Sequence, residues 1–214
     1  SIVSYTGNGV DLAEVGHGLT QAPEMYIVKN RDQADNWKVG AAPHIDRAYS
    51  LHLNDTNAAN SEDSWGNKVP LSYAVRLGQD VATNTNGEDY IMYCFHSVDG
   101  FSKVGSYIGN GSSDGTFVYT GFRPAFIMTK RTSSTSSWRI VDVKRSPYNN
   151  SDKTLSAEST SAEADFTDNG WGEFWDITSN GMKARGSDPE FNSSGHTYIY
   201  IAFAEHPFKY TNAR

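Results

Sequence analysis

The sequence predicts an all-β protein, a jelly-roll-like (concanavalin-like) β-sandwich built from two sequence-related halves. Three observations carry this: an internal repeat running the length of the chain, apolar residues spaced by two, and a dense set of Asn-Gly and Asp-Gly pairs. The repeat comes first, because a missed duplication misreads the whole fold. Tyr5-Thr-Gly-Asn-Gly9 returns as Tyr107-Ile-Gly-Asn-Gly111, 102 positions on. Ala22-Pro23 through Lys29 returns as Arg123-Pro124 through Lys130, and Trp37 returns as Trp138, both 101 positions on. Trp65-Gly66 matches Trp171-Gly172, Gly78-Gln-Asp80 matches Gly186-Ser-Asp188, and Gly87 through Ile91 matches Gly195 through Ile199. The drift in spacing places small insertions in the second half, and the boundary falls near Asp99-Gly-Phe-Ser102. The units are therefore 1–101 and 102–214, read as packed into one continuous body, since no Pro- or Ser-rich linker separates them.

Within each unit the elements follow from periodicity. Tyr49, Leu51 and Leu53 alternate with Ser50 and His52, Tyr73, Val75 and Leu77 with Ala74 and Arg76, and Trp138 and Ile140 with Arg139 and Val141; period two is the signature of a strand. Met25–Lys29, Tyr90–Phe95, Phe126–Lys130 and Tyr198–Phe203 are apolar on nearly every residue and read as central strands covered on both faces. Asn-Gly at 8, 86, 110, 169 and 180 and Asp-Gly at 99 and 114 supply the positive-φ residues of tight hairpins. The Ala- and Glu-rich stretch 156–165 is the one place where a short helix fits.

Composition narrows the function. The 214 residues carry 18 Lys+Arg against 25 Asp+Glu, a net charge of −7, with no basic cluster beyond Lys130-Arg131 and Lys144-Arg145, which argues against nucleic acid as a partner. The longest apolar stretch, Tyr198–Ala204, is far short of the roughly 20 residues that span a bilayer, so no membrane insertion is expected. Cys94, the only cysteine, lies in an apolar run and reads as a buried, inert thiol. Opening on Ser1 rather than Met, the chain reads as a processed product or part of something longer.

Candidate chemistry is sparse. Glu163-Ala-Asp165-Phe-Thr-Asp168 loosely follows the paired-carboxylate strand of some sandwich glycoside hydrolases, but its third position is Asp and it runs into a turn, so it reads as a solvated acidic loop rather than a catalytic pair. Asp165, Asp168, Asn169 and Glu173 offer oxygen ligands without the spacing of a calcium loop. Gly109 through Gly115 is glycine-rich but leads into a strand, not a helix, and so reads as a hairpin turn instead of a phosphate cradle. The six histidines show no metal-ligand spacing, and no cofactor or metal is expected. Trp37 and Trp138, at equivalent strand starts, read as core anchors. Trp65, Trp171 and Trp175 sit among Gly, Asn, Asp and Ser; with Asp168 and Asn169 they make the candidate glycan-binding set, flat rings for a sugar face and polar groups for its hydroxyls. A tryptophan folded back onto the sandwich is the alternative for each.

Taken together, Ser106-Tyr-Ile-Gly-Asn-Gly111, Thr120-Gly-Phe-Arg-Pro-Ala125, Ile127–Arg131 and Tyr198-Ile-Tyr-Ile-Ala-Phe-Ala-Glu-His-Pro-Phe208, echoed by His17-Gly-Leu19 and Ala22-Pro23, resemble virion structural proteins of tailed bacteriophages, of the tail-fibre and appendage kind. The resemblance covers almost the whole chain and offers no catalytic residues to carry over. It implies a non-enzymatic β-sandwich on a virus particle's surface, forming a homo-oligomer with other virion proteins nearby. A fibre or appendage domain attaching to host-surface glycans is the first expectation; a purely structural capsid decoration or appendage subunit is the alternative, and a glycan depolymerase is the third.

Overall fold

The computed structural model describes residues 1–165 and 174–208. The chain divides into two compact units, Ser1–His96 and Ser97–Arg214. Unit 1 runs β1 (Ile2–Thr6), β2 (Ala13–Gly16), β3 (Met25–Asn30), β4 (Lys38–Gly40), β5 (Tyr49–His52), β6 (Asn60–Ser61), β7 (Ala74–Leu77), α1 (Val81–Asn84) and β8 (Asp89–Phe95). Unit 2 runs β9 (Ser102–Ile108), β10 (Phe117–Tyr119), β11 (Pro124–Arg131), β12 (Arg139–Asp142), β13 (Lys153–Ser156), β14 (Ala164–Asp165), β15 (Trp175–Thr178), β16 (Gly181–Ala184) and β17 (Thr197–Ala204).

The duplication in sequence is a duplication of topology. Unit 1 builds a six-stranded antiparallel sheet in the order β1-β8-β3-β4-β5-β6, and unit 2 builds β9-β17-β11-β12-β13-β14, the same order of equivalent strands. The four apolar runs are the interior strands β3, β8, β11 and β17, each paired on both edges; cover on both faces is not general, since β8 alternates buried with half-buried residues. Over one face lies a small second layer, β2 paired with β7 in unit 1 and β10-β16-β15 in unit 2. The core of unit 1 joins Tyr26, Val28, Tyr90 and Met92 of the large sheet to Val75 and Leu77 of the small one. Unit 2 repeats this with Ile127, Tyr198 and Tyr200 against Val118, Ile177 and Met182. Each unit is thus a two-layer sandwich, as packed antiparallel sheets with one buried face require.

The repeated motifs lock each sandwich. The Tyr5 ring stacks on Tyr90 with centroids 5.1 Å apart, and Tyr107 stacks on Tyr198 at 5.0 Å. In unit 1 the amide of buried Asn84 donates to the carbonyls of Val10 and Gly78, both at 2.9 Å, and accepts from the Asn8 N–H at 3.0 Å. In unit 2, Asn192 donates to Ser112 at 2.9 Å and Gly186 at 2.8 Å and accepts from the Asn110 N–H at 3.0 Å. Glycine at 7 and 109 is required by contact: a Cβ there would lie 2.2 Å from the Thr85 carbonyl oxygen and 2.3 Å from that of Ser193. A short turn opened by aspartate presents each asparagine. The Asp80 carboxylate accepts from the Ala82 N–H at 3.0 Å and caps α1, while Asp188 accepts from the Glu190 N–H at 2.8 Å.

Several expectations are corrected. The stretch 156–165 holds no helix: Ser156 ends β13 and Ala164–Asp165 pair with it as β14. The helix of unit 1 is α1, which forms where Asp80 can cap it. Gly115 and Gly181 have no positive φ; they admit the Ala184 and Val118 carbonyls, 2.6 and 2.3 Å from where a Cβ would stand. Trp138 is fully buried as expected, but Trp37 is only half-buried, laid against Tyr93 with ring centroids 6.4 Å apart. Cys94 is buried in β8, and burial pushes its thiol pKa up to about 12. Among the described residues no helix is long and apolar enough to cross a membrane.

Candidate functional site

The tryptophans expected to meet sugar do not line a common surface. Trp65, 1% exposed, turns inward from its loop and meets the Tyr26 ring edge-on at 4.6 Å. Trp175, 0% exposed, opens β15 and packs against Tyr107, Phe174 and Phe191. Both indoles fold back onto a core, the alternative left open by the sequence, and neither offers a face to a ligand. Trp171, Asp168, Asn169 and Glu173 lie outside the described residues. Of the acidic segment, Glu163 is paired with Arg145, and Asp165 stands opposite Lys153 across β13 and β14. Among the described residues no group of three or more His, Cys, Asp and Glu is placed to hold a metal ion.

The polar chemistry gathers elsewhere, where β3 ends and β4 begins in unit 1 and where β11 ends and β12 begins in unit 2. In unit 1 this place is closed. Lys38, first residue of β4, points its ammonium at Glu62 (2.5 Å) and Asp80 (3.0 Å), with the His52 imidazole of β5 at 3.2 Å. Its side chain is almost fully buried, so the ion pairs are charge-assisted contacts shielded from water. Burial works against ionisation of Asp80, but the Ser64 hydroxyl, the Ala82 N–H and the Lys38 ammonium outweigh it and hold the carboxyl below the usual range. Glu62 is lowered in the same way, burial being overcome by hydrogen bonds from Lys38 and His52. Beside this cluster the Asn30 amide is filled by Asp35 (3.0 Å), Glu88 (2.5 Å) and the Tyr90 hydroxyl (3.3 Å).

In unit 2 the same frame carries other residues and, among the described residues, lines a cavity. Arg131 stands where unit 1 has Asn30, Ser136 where it has Asp35, and Arg139 where it has Lys38, each 101 positions on. Buried Lys130 fixes the loop that follows by donating to the Arg131 carbonyl at 3.0 Å. Arg139 pairs with Glu190 and donates to the Ser156 hydroxyl at 2.8 Å, Ser156 replacing His52 across the strand pair. The Arg131 guanidinium reaches the Thr135 carbonyl, while its Nε is buried and has no hydrogen-bond partner among the described residues. The same holds, among the described residues, for the Ser136 hydroxyl, on a residue 7% exposed. These groups, with Asp188 and Pro189, line a cavity of about 300 Å³. Burial, with the Glu190 carboxylate adding, raises the Asp188 pKa above the usual range despite the Glu190 N–H and the two arginines.

The cavity offers hydrogen bonds in both senses, donors from Arg131 and Ser136 and acceptors from Asp188 and Glu190. Sequence reading had passed over it, because no single segment holds the set. The signal lay in the aligned copies: within a matched frame, positions 30, 35 and 38 change chemistry in the second copy.

A family model described as "Domain of unknown function (DUF7483)" matches residues 1–207. No curated protein matches the chain. A solved structure titled "Crystal Structure of the STIV MCP" aligns with 100% of this chain and 88% of its own at 11% identity, with a TM-score of 0.22. A TM-score that low carries no argument about this chain.

Proposed function

We propose that this chain, which belongs to the DUF7483 family over residues 1–207, is a non-enzymatic structural module of a virus particle, of the tail-fibre or appendage kind. One observation supports the reading best: the motifs that resemble phage virion proteins are the residues that lock the sandwich. Tyr107, Gly109, Asn110 and Gly111 bond within their own unit to Phe191, His196 and Asn192. The Thr120 hydroxyl donates to the Phe122 carbonyl at 2.6 Å, and Arg123 ties the start of β11 to Ile177 and Glu205. A motif used in this way specifies a rigid body used twice, which suits a particle assembled from copies of itself and other virion proteins. Antibody-gold labelling of intact particles from the chain's source, read by electron microscopy, tests it. Label along a shaft or over the head is the expected result, and absence from every particle refutes the viral role.

Attachment to host-surface glycans is a second reading, favoured by one feature, the open polar cavity of unit 2. It predicts label at fibre tips.

A further inference from the structure

We propose that the cavity bounded by Arg131, Ser136, Arg139, Asp188 and Glu190 binds a neutral saccharide unit through neighbouring hydroxyls; the proposal rests on the attachment reading and gives it a site. The first support is the contrast between copies. In unit 1 the protein's own side chains fill this place, Asn30 bonded to Asp35 and Lys38 held by Glu62 and Asp80. In unit 2 the replacements leave a cavity and two buried polar atoms, Arg131 Nε and Ser136 Oγ, with no partner among the described residues. Buried polar groups are nearly always satisfied, and two orphans carried by residues that line one cavity point to a partner supplied from outside the protein once the side chains turn toward it.

The second support is the sign of the groups. Two guanidiniums face two carboxylates, so a bare anion would meet Asp188 and Glu190, and a cation would meet Arg131 and Arg139. A hydroxyl both donates and accepts. A pair of adjacent hydroxyls can take hydrogen bonds from Arg131 Nε and Ser136 while giving theirs to the carboxylates. The volume, about 300 Å³, lies at the small end for ligand pockets and suits one sugar residue of a longer chain.

The test uses the whole ¹⁵N-labelled chain titrated with the methyl glycosides of glucose, galactose, mannose and N-acetylglucosamine. At least one should move the amide resonances of residues 131–136, Asp188 and Glu190. The double variant Arg131→Asn with Ser136→Asp copies the Asn30–Asp35 pair into unit 2 and should weaken that binding about tenfold or more. Ser136→Ala, which removes one small side chain and no charge, should weaken it several-fold and serves if the double variant does not fold. The proposal is overturned if no glycoside moves those amides, if both variants bind like wild type, or if free alanine moves them and the glycosides do not. Adsorption of the chain to the cells its particles infect separates the two levels. Adsorption that survives the double variant defeats the cavity and leaves attachment standing. Glycoside shifts at the cavity without adsorption support the cavity and defeat attachment.

Discussion

Lys38 and Arg139 occupy the same position in two copies of one sandwich, yet they do opposite work. The lysine is a compact cation enclosed by Glu62, Asp80 and His52, and its cluster is self-sufficient. Arg139 spreads its charge over a planar fork, reaches Glu190 and Ser156, and lines a cavity formed by the described residues. A duplicated fold therefore separates its scaffold from its sites: what both copies keep holds the sandwich, and what differs inside the kept frame is free for another use.

Four experiments break or sharpen that comparison, each read by native-state hydrogen exchange, which resolves the two units amide by amide. The lock should behave alike in both. Asn84→Ala and Asn192→Ala each remove three hydrogen bonds to backbone groups, one of them buried, and at about 1–3 kcal/mol for the buried group and about 0.5–1.5 kcal/mol for each of the others either should cost its own unit about 2–6 kcal/mol. A large loss in one unit and none in the other would show that the lock is not shared.

The charged positions should differ. Lys38→Met leaves two carboxylates facing each other without their cation and should destabilise unit 1 by about 3–5 kcal/mol. Arg139→Met frees Glu190, which is partly exposed and can rehydrate, so unit 2 should lose about 1 kcal/mol. Equal losses would remove the distinction between a closed and an open site. The paired tryptophans separate less widely. Fully buried Trp138 should cost about 3–5 kcal/mol when changed to Ala, and half-buried Trp37 about 1–2 kcal/mol.

Acid should push the units in opposite directions through these carboxylates. Glu62 and Asp80 are lowered in the fold, so their contribution is complete above the unfolded values of about 4 and is lost as pH falls through the lower folded values. Unit 1 should weaken on acidification below about pH 4. Asp188 is raised, so its ionised form opposes folding at neutral pH, and that opposition fades as pH falls through the raised value. Asp188→Asn should accordingly leave unit 2 as stable or slightly more stable at pH 7. A clear loss there would mean that the carboxylate charge itself holds the turn.

The β class, the duplication and the four interior strands were legible because each rests on local pattern: period two, repeated glycine pairs, and apolar runs of strand length. The role of the Tyr-x-Gly-Asn-Gly motif was legible only as repetition. Its partner, the asparagine four residues after Asp80 or Asp188, lies about 80 positions away in sequence, and only folding brings the two together. Trp65 and Trp175 misled for a related reason. Polar neighbours describe the loop that carries a side chain, not the direction the side chain takes, and an indole gains more by entering a core than by staying on a turn. The cavity residues come from the end of one strand, the loop after it, the start of the next strand and a turn some fifty residues on.

Cys94 sits in the core of unit 1, and the equivalent position 108 residues later is Ala202 in β17. The chain thus carries a single built-in chemical clock, placed in only one of its two bodies. A thiol reagent in solution reaches that sulfur only when the first sandwich opens, so the labelling rate reports the opening frequency of unit 1 and is blind to unit 2. No engineered probe is needed to time one repeat against the other: trapping the thiol follows the first, and amide exchange follows both.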